Sequence, residues 1–343
     1  MIVESFSRIE TVRHTFPEDA YLPPFKPGSG SPDASYLTHL QGVRFRPVFI
    51  IGPHRAGTTI LEKLLMETGC FNVVTAYHIV NKDRLLYLHY HELEQKAKRS
   101  LEQLFASKGV KDHGYDAIAA APDSPEEYCF ALRHQGRRPV LKKSNLKSFT
   151  EFCQKLQVIE NPDRPLLLKN PFDTNRFLFI HRMFPEAGFI FIHRNPVDVI
   201  DSQIRAIRSV LQRRNEYLAL MDKRYRTICE RPWKLAIARA VYSDRLPLLF
   251  YQVSRNLARN CDYILHNYSR LGSAATGLTY RELCQAPTQT VRRILKFFGL
   301  CEPSPQDYSR FIKPRAGQLT DEVKKRRHMI ESRNADYSRV FGV

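Results

Sequence analysis

Short apolar runs alternate along the chain with longer stretches in which apolar residues recur at helical spacing. Pro47-Val-Phe-Ile-Ile-Gly52 is a continuous apolar run ending in glycine, as expected of a strand buried on both faces of a parallel sheet. From Thr58 onward, Ile60, Leu61, Leu64 and Leu65 recur with the period of a helix. The pattern returns at Pro165–Asn170, where Asn170 is placed to cap and Pro171 to open a helix bearing Phe177, Ile180 and Phe184. It returns again at Gly188–His193, followed by Asn195, Pro196 and a helix carrying Val199, Ile200, Ile204 and Ile207. Gly277–Arg281 reads as a last strand, followed by Pro287 and a helix with Val291, Ile294, Leu295 and Phe298, closed by Gly299. Strands that each feed a helix predict an α/β fold, a parallel sheet flanked by helices.

Around this frame, residues 1–46 read as an irregular N-terminal arm, because Leu22–Pro32 is rich in Pro, Gly and Ser. Residues 47–343 are expected to form a single α/β domain. The stretch 204–259 reads as a basic helical insertion, with 13 Lys or Arg against Glu216, Asp222, Glu230 and Asp244. Residues 83–160 mix helix and loop, and no internal repeat is evident.

Charge changes the picture next. The 343 residues carry 53 Lys or Arg against 35 Asp or Glu, a formal excess of 18 positive charges that suits nucleic acid, a membrane surface or a small polyanion. Lys324-Lys-Arg-Arg327 is short and lacks interleaved aromatics, so nucleic acid is not the expected partner. No apolar stretch reaches the ~18 residues of a membrane span, and the first residues lack a signal-peptide layout. The expectation is a soluble, cytoplasmic chain. Its seven scattered cysteines, without a C-x-x-C pair, predict reduced thiols and no metal site.

The chemistry sits where a strand meets a helix. Gly52-Pro-His-Arg-Ala-Gly57-Thr58-Thr59 has the G-x-x-x-x-G spacing of a phosphate-binding loop (P-loop) in the right strand-to-helix context. Its glycines let backbone amides wrap an anion at a helix N-terminus, and Thr58 and Thr59 add hydroxyl donors. A nucleoside triphosphatase would carry Lys where this chain has Thr58, and no candidate strand ends in an Asp suited to magnesium. Arg55 offers a fixed positive charge instead. A second anion anchor is predicted at Arg194 and Ser202, eight residues apart and on one side of the helix that opens at Pro196.

On these motifs the chain resembles the sulfotransferase superfamily, whose members use 3′-phosphoadenosine 5′-phosphosulfate. Arg55-Ala56-Gly57-Thr58-Thr59 is similar to its R-x-G-T-T loop for the 5′-phosphosulfate, and Arg194 with Ser202 to its 3′-phosphate pair. Leu166-Leu-Leu-Lys169-Asn-Pro171 is similar to the L-L-K-[ST]-P segment, and Leu278-Thr-Tyr280-Arg-Glu-Leu283 to the R-Y-E-D-L segment. The resemblance spans about 47–300. It implies a P-loop-like sulfotransferase fold and a metal-independent transfer that leaves adenosine 3′,5′-bisphosphate. The chain departs from the family at Pro53, His54 and Ala56 in the loop, and at Asp173, where related members often carry His.

Sulfuryl transfer needs positive charge on the departing phosphate oxygen and a base for the acceptor proton. Arg55 and Lys169 are candidates for the charge. Members with this loop carry a carboxylate farther along the chain that is thought to deprotonate the acceptor. At a similar distance, 23 residues beyond Arg55, stands His78, the expected base, with Asp173 as the alternative. Tyr280 joins the expected donor-binding set. The acceptor, a small molecule or glycan hydroxyl or amine, has no signature in the sequence, and neither has the oligomeric state. The rival readings are a small-molecule kinase or nucleotide-binding protein on a related phosphate-loop fold, and a catalytically degenerate sulfotransferase-fold binding protein.

Overall fold

A computed structural model describes residues 31–114, 118–132, 139–312 and 318–343. The chain enters the sheet at β1 (Pro47–Ile51) and passes through the loop at 52–57 into α1 (Thr58–Glu67). It continues through β2 (Asn72–Val73), α2 (Ala76–Val80), α3 (Leu85–Tyr90), α4 (Glu94–Ser107) and α5 (Lys143–Ile159) to β3 (Leu166–Lys169). Next come α6 (Phe177–Met183), β4 (Gly188–His193) and α7 (Pro196–Gln212). The helices α8 (Glu216–Met221), α9 (Lys223–Cys229), α10 (Pro232–Val241) and α11 (Leu248–Asn267) precede β5 (Ala275–Thr279). The chain ends in α12 (Tyr280–Gln285), α13 (Pro287–Phe297), α14 (Asp321–Lys324), α15 (Arg327–Arg333) and α16 (Ala335–Phe341).

The five strands are parallel and lie in the order β2-β3-β1-β4-β5. Every residue of β1 and β3 is buried, which is why these strands read as unbroken apolar runs rather than as alternation. Phe49 stacks on Phe189 at 5.8 Å and meets Tyr128 edge-on at 6.1 Å, tying the sheet to the helical layers. Register then positions the chemistry. Ile50 is paired with Lys169, Ile51 with Phe191 and His193 with Thr279, so the strands deliver Gly52, Lys169, Arg194 and Tyr280 to one edge. Chain order reverses between β1 and β4, the place where open α/β sheets bind ligands.

Three boundaries differ from expectation. The last strand begins at Ala275 and stops at Thr279, because the Thr279 side chain and Glu282 form a reciprocal capping box that starts α12 at Tyr280. The short edge strand β2 was not predicted, since two residues carry no periodic signal. Of the expected arm, residues 1–30 lie outside the described residues. Pro32–Leu40 forms a 3-10 helix, fastened by buried Asp33, which accepts from the Tyr87 amide at 2.9 Å and pairs with Lys155 at 3.0 Å. The basic stretch 204–259 runs through helices α7 to α11. Among the described residues no helix is long and apolar enough to cross a membrane, and none of the seven cysteines is in a disulfide.

Candidate functional site

The loop after β1 is shaped by close packing. A Cβ on Gly52 would lie 2.9 Å from Ile192 Cγ2, and one on Gly57 would lie 2.4 Å from the Tyr280 ring. Gly57 also has φ +108, which glycine adopts without strain. Arg55 has φ +69, a left-handed conformation that costs a non-glycine residue about 1 kcal/mol and must be held by its surroundings. The holding groups are present. Arg194 Nη1 donates to the Arg55 carbonyl at 2.9 Å, Gln203 Nε2 to the His54 carbonyl at 2.7 Å, and Thr174 Oγ1 to the Gly52 carbonyl at 2.8 Å. With these loop carbonyls engaged by side chains, the first amides of α1, which have no partner within the helix, point into the loop.

The second predicted anchor meets the first. Arg55 Nε donates to Ser202 Oγ at 3.0 Å, and the Arg194 guanidinium lies 4.4 Å from the Tyr280 ring centre. Ser202 reaches this position because Asn195 caps α7, accepting from the Val197 amide at 2.9 Å, with Pro196 in the first turn. Asp201, one residue away, turns the opposite way and holds Thr320 through its amide and hydroxyl, both at 2.8 Å. The structure thus gathers Arg55, Ala56, Gly57, Thr58, Thr59, Arg194, Ser202 and Tyr280 around the turn between β1 and α1.

Lys169 belongs to the same cluster. It is 3% exposed, and its Nζ lies 3.3 Å from Thr59 Oγ1 and 2.6 Å from Glu62 Oε2, both on α1. Glu62 was missed by sequence reasoning, because a lone Glu in an apolar helix gives no sign that it faces inward. Burial pushes its carboxyl up to about 7, against the opposing pull of Lys169. Glu126 and Glu127 add negative potential at Glu62. Glu126 is fully buried, accepts from the Tyr217 hydroxyl, and is raised chiefly by burial. Glu127 is partly exposed. No periodicity marks this segment, which is aligned with the residues after β2 by the Glu126 amide donating to the Val74 carbonyl at 2.8 Å.

The two expected bases are placed differently. His78 is buried and caps α2: its Nδ1 accepts from the Thr75 amide at 3.1 Å, and its Nε2 lies 3.2 Å from Glu160. Glu160 follows α5 at the start of the connection into β3, whereas Lys169 closes that strand's other end. Both ring nitrogens of His78 are thus taken up by Thr75 and Glu160. Asp173 is fully buried and accepts from Tyr128 Oη at 2.8 Å, Asn170 Nδ2 at 2.8 Å and the Leu141 amide at 3.1 Å. Burial raises it to about 6, and these donors and Arg176 pull it back. Its oxygens are committed to tying the end of β3 to the segment before α5. Among the described residues no group of His, Cys, Asp or Glu is arranged to hold a metal ion.

Comparison with known proteins gives the family and the fold. The model of the sulfotransferase family matches residues 47–303. Among solved structures, sulfotransferase STF9 from Mycobacterium avium superposes with a TM-score of 0.56 at 14% identity, over 90% of this chain and 81% of that one. Sulfotransferase STF1 from Mycobacterium tuberculosis H37Rv does so with a TM-score of 0.51 at 17% identity, over 89% and 80%. At such identities the superpositions show the fold. No curated protein matches the chain by sequence. With most of its length under the family model and the matching parallel sheet, the chain belongs to the sulfotransferase family.

Proposed function

We propose that the chain transfers a sulfuryl group from 3′-phosphoadenosine 5′-phosphosulfate to a hydroxyl or amine of a small-molecule or glycan acceptor. The observation that carries this reading is the meeting of the loop at Arg55–Thr59 with Arg194 and Ser202 at the switch point of the sheet. The cradle fits a doubly anionic nucleotide. Gly57 lets the loop pack directly on the Tyr280 ring, and two arginines and a lysine converge within one cluster. The donor supplies a sulfuryl group on a phosphate leaving group.

The amides of Gly57, Thr58 and Thr59, with Arg55 and the threonine hydroxyls, hold the phosphosulfate end, while the Ala56 amide closes the loop by donating to the Pro53 carbonyl at 3.1 Å. Arg194 and Ser202 take the 3′-phosphate, and Tyr280 walls that side. Lys169 neutralises charge on the departing oxygen, and Glu62, its buried partner, fixes where the ammonium points. For the acceptor proton we assign Glu127. Glu62, Glu126 and Asp173 are buried and engaged, whereas Glu127, which adds negative potential at Glu62, is partly open to solvent and accepts from Cys129 Sγ at 3.5 Å. His78 and Asp173 act as fasteners in this scheme. No step assigned to these residues calls for a metal ion, and seven thiols outside any disulfide support a reducing, cytoplasmic setting.

Calorimetry with adenosine 3′,5′-bisphosphate and with magnesium and ATP tests the reading. Saturable binding of the bisphosphate in the presence of EDTA is expected. A clear preference for magnesium and ATP would overturn it in favour of a kinase.

A further inference from the structure

The helix α10 is apolar on its outer face as well as toward its neighbours. It packs against α7 and α9, yet none of its residues is buried. Pro232, Trp233, Ala236, Ile237 and Ala240 fall at spacings that share one face, and each is exposed. Trp233 is 60% and Ile237 56% accessible, and the chain that follows adds Leu246, Leu248 and Tyr251, the last two 53% and 51% accessible. An apolar face of this kind on the outside of a protein marks an interaction surface.

Charge selects the occupant. From 223 to 259 the chain has nine Lys or Arg and two acidic residues, Glu230 and Asp244. Arg231, Lys234 and Arg245 border the apolar positions, and Lys234 Nζ lies 5.4 Å from the Trp233 ring. A second copy docking through a twofold axis would set these cations against their own images, on a chain already carrying an excess of 18 positive charges. A nucleic acid would pair with the arginines and leave Ile237 and Leu248 in water. An anionic lipid surface satisfies both halves: aliphatic and aromatic side chains enter the interfacial layer while arginine and lysine meet the headgroups. We propose that α10 and the start of α11 form a peripheral docking face for an anionic bilayer. The inference rests on this face alone and is independent of the donor site.

Trp233 is the only tryptophan of the chain, so the protein carries its own probe. The full chain is titrated with vesicles of phosphatidylcholine, alone or mixed with phosphatidylglycerol. Tryptophan emission and co-sedimentation are followed. With the mixed vesicles, emission should move to shorter wavelength and the protein should sediment, both reversing as salt is raised. The double variant Arg231→Ala, Arg245→Ala should bind mixed vesicles roughly thirtyfold more weakly. Ile237→Ser should reduce the emission shift while circular dichroism and bisphosphate binding stay unchanged. Absence of both signals with mixed vesicles at low salt overturns the proposal, as does equal binding to neutral vesicles. An emission shift that follows protein concentration without lipid also overturns it and assigns the face to a second copy.

Discussion

At the scale of single residues, environment rather than residue type separates the acids and bases of the site. His78 and Asp173 are reasonable bases by chemistry, but each is buried and spends its polar atoms on local structure. Glu127 is unremarkable by sequence, is partly exposed, accepts from Cys129 Sγ at 3.5 Å and adds negative potential at Glu62. Glu127→Gln should therefore lower kcat by roughly 10²–10⁴-fold, the usual share of a general base, with bisphosphate affinity unchanged. Asp173→Asn and His78→Ala should instead lower the urea midpoint, leaving turnover of the folded fraction near that of the parent. Steady-state kinetics beside urea melts separate the outcomes, and full activity in Glu127→Gln removes it as the base.

At the scale of elements, the site depends on how helices begin. The Gly57 turn starts α1 beside the loop, and the Asn195 cap with Pro196 starts α7 two turns before Ser202. Removing the cap should fray the first turn of α7, where Arg194 leaves β4. Asn195→Ala should cost about 1 kcal/mol and lower Tm by about 2 °C, with a several-fold loss of bisphosphate affinity. Calorimetry and thermal melts check both, and an unchanged affinity would mean that Arg194 and Ser202 do not need the cap for their placement. Such starts were legible in advance because they are written in adjacent residues: Asn-Pro after a strand, or Gly-x-x-x-x-Gly before a helix. The Glu126–Glu127 segment was not, since only the fold brings it to β2 and the base of α1.

For the whole molecule, the C-terminal helices close over the sheet and bury a titratable group. His193 ends β4, contacts Tyr337 Oη at 2.9 Å and stacks on Phe341 at 3.9 Å, both from α16. Burial pushes it down from 6.5 to about 3. Between those values the unfolded chain binds the extra proton, so this group costs stability as pH falls from 6.5 toward 3. Glu62 and Asp173, raised by burial, act in the opposite sense over part of that range. Comparing parent with His193→Phe cancels their contribution. The stability lost between pH 7 and pH 4 should be smaller in the variant by about 3 kcal/mol. Urea unfolding at the two pH values measures it, and equal losses would show that His193 accepts a proton in place in the folded protein.

The sequence by itself determined the parallel α/β frame and the glycine-spaced turn at Gly52–Thr59 between strand and helix. Buried strands must be apolar throughout, and backbone cradles need glycine at set spacing, so both leave local marks. Tertiary structure alone decided that Arg55 meets Ser202, that Lys169 is matched by Glu62, and that His78 faces Glu160. It also decided that α10 leaves Trp233 and Ile237 on its outer face. These are relations between residues far apart in the chain, fixed by strand register and helix packing, and no periodicity along one segment encodes them.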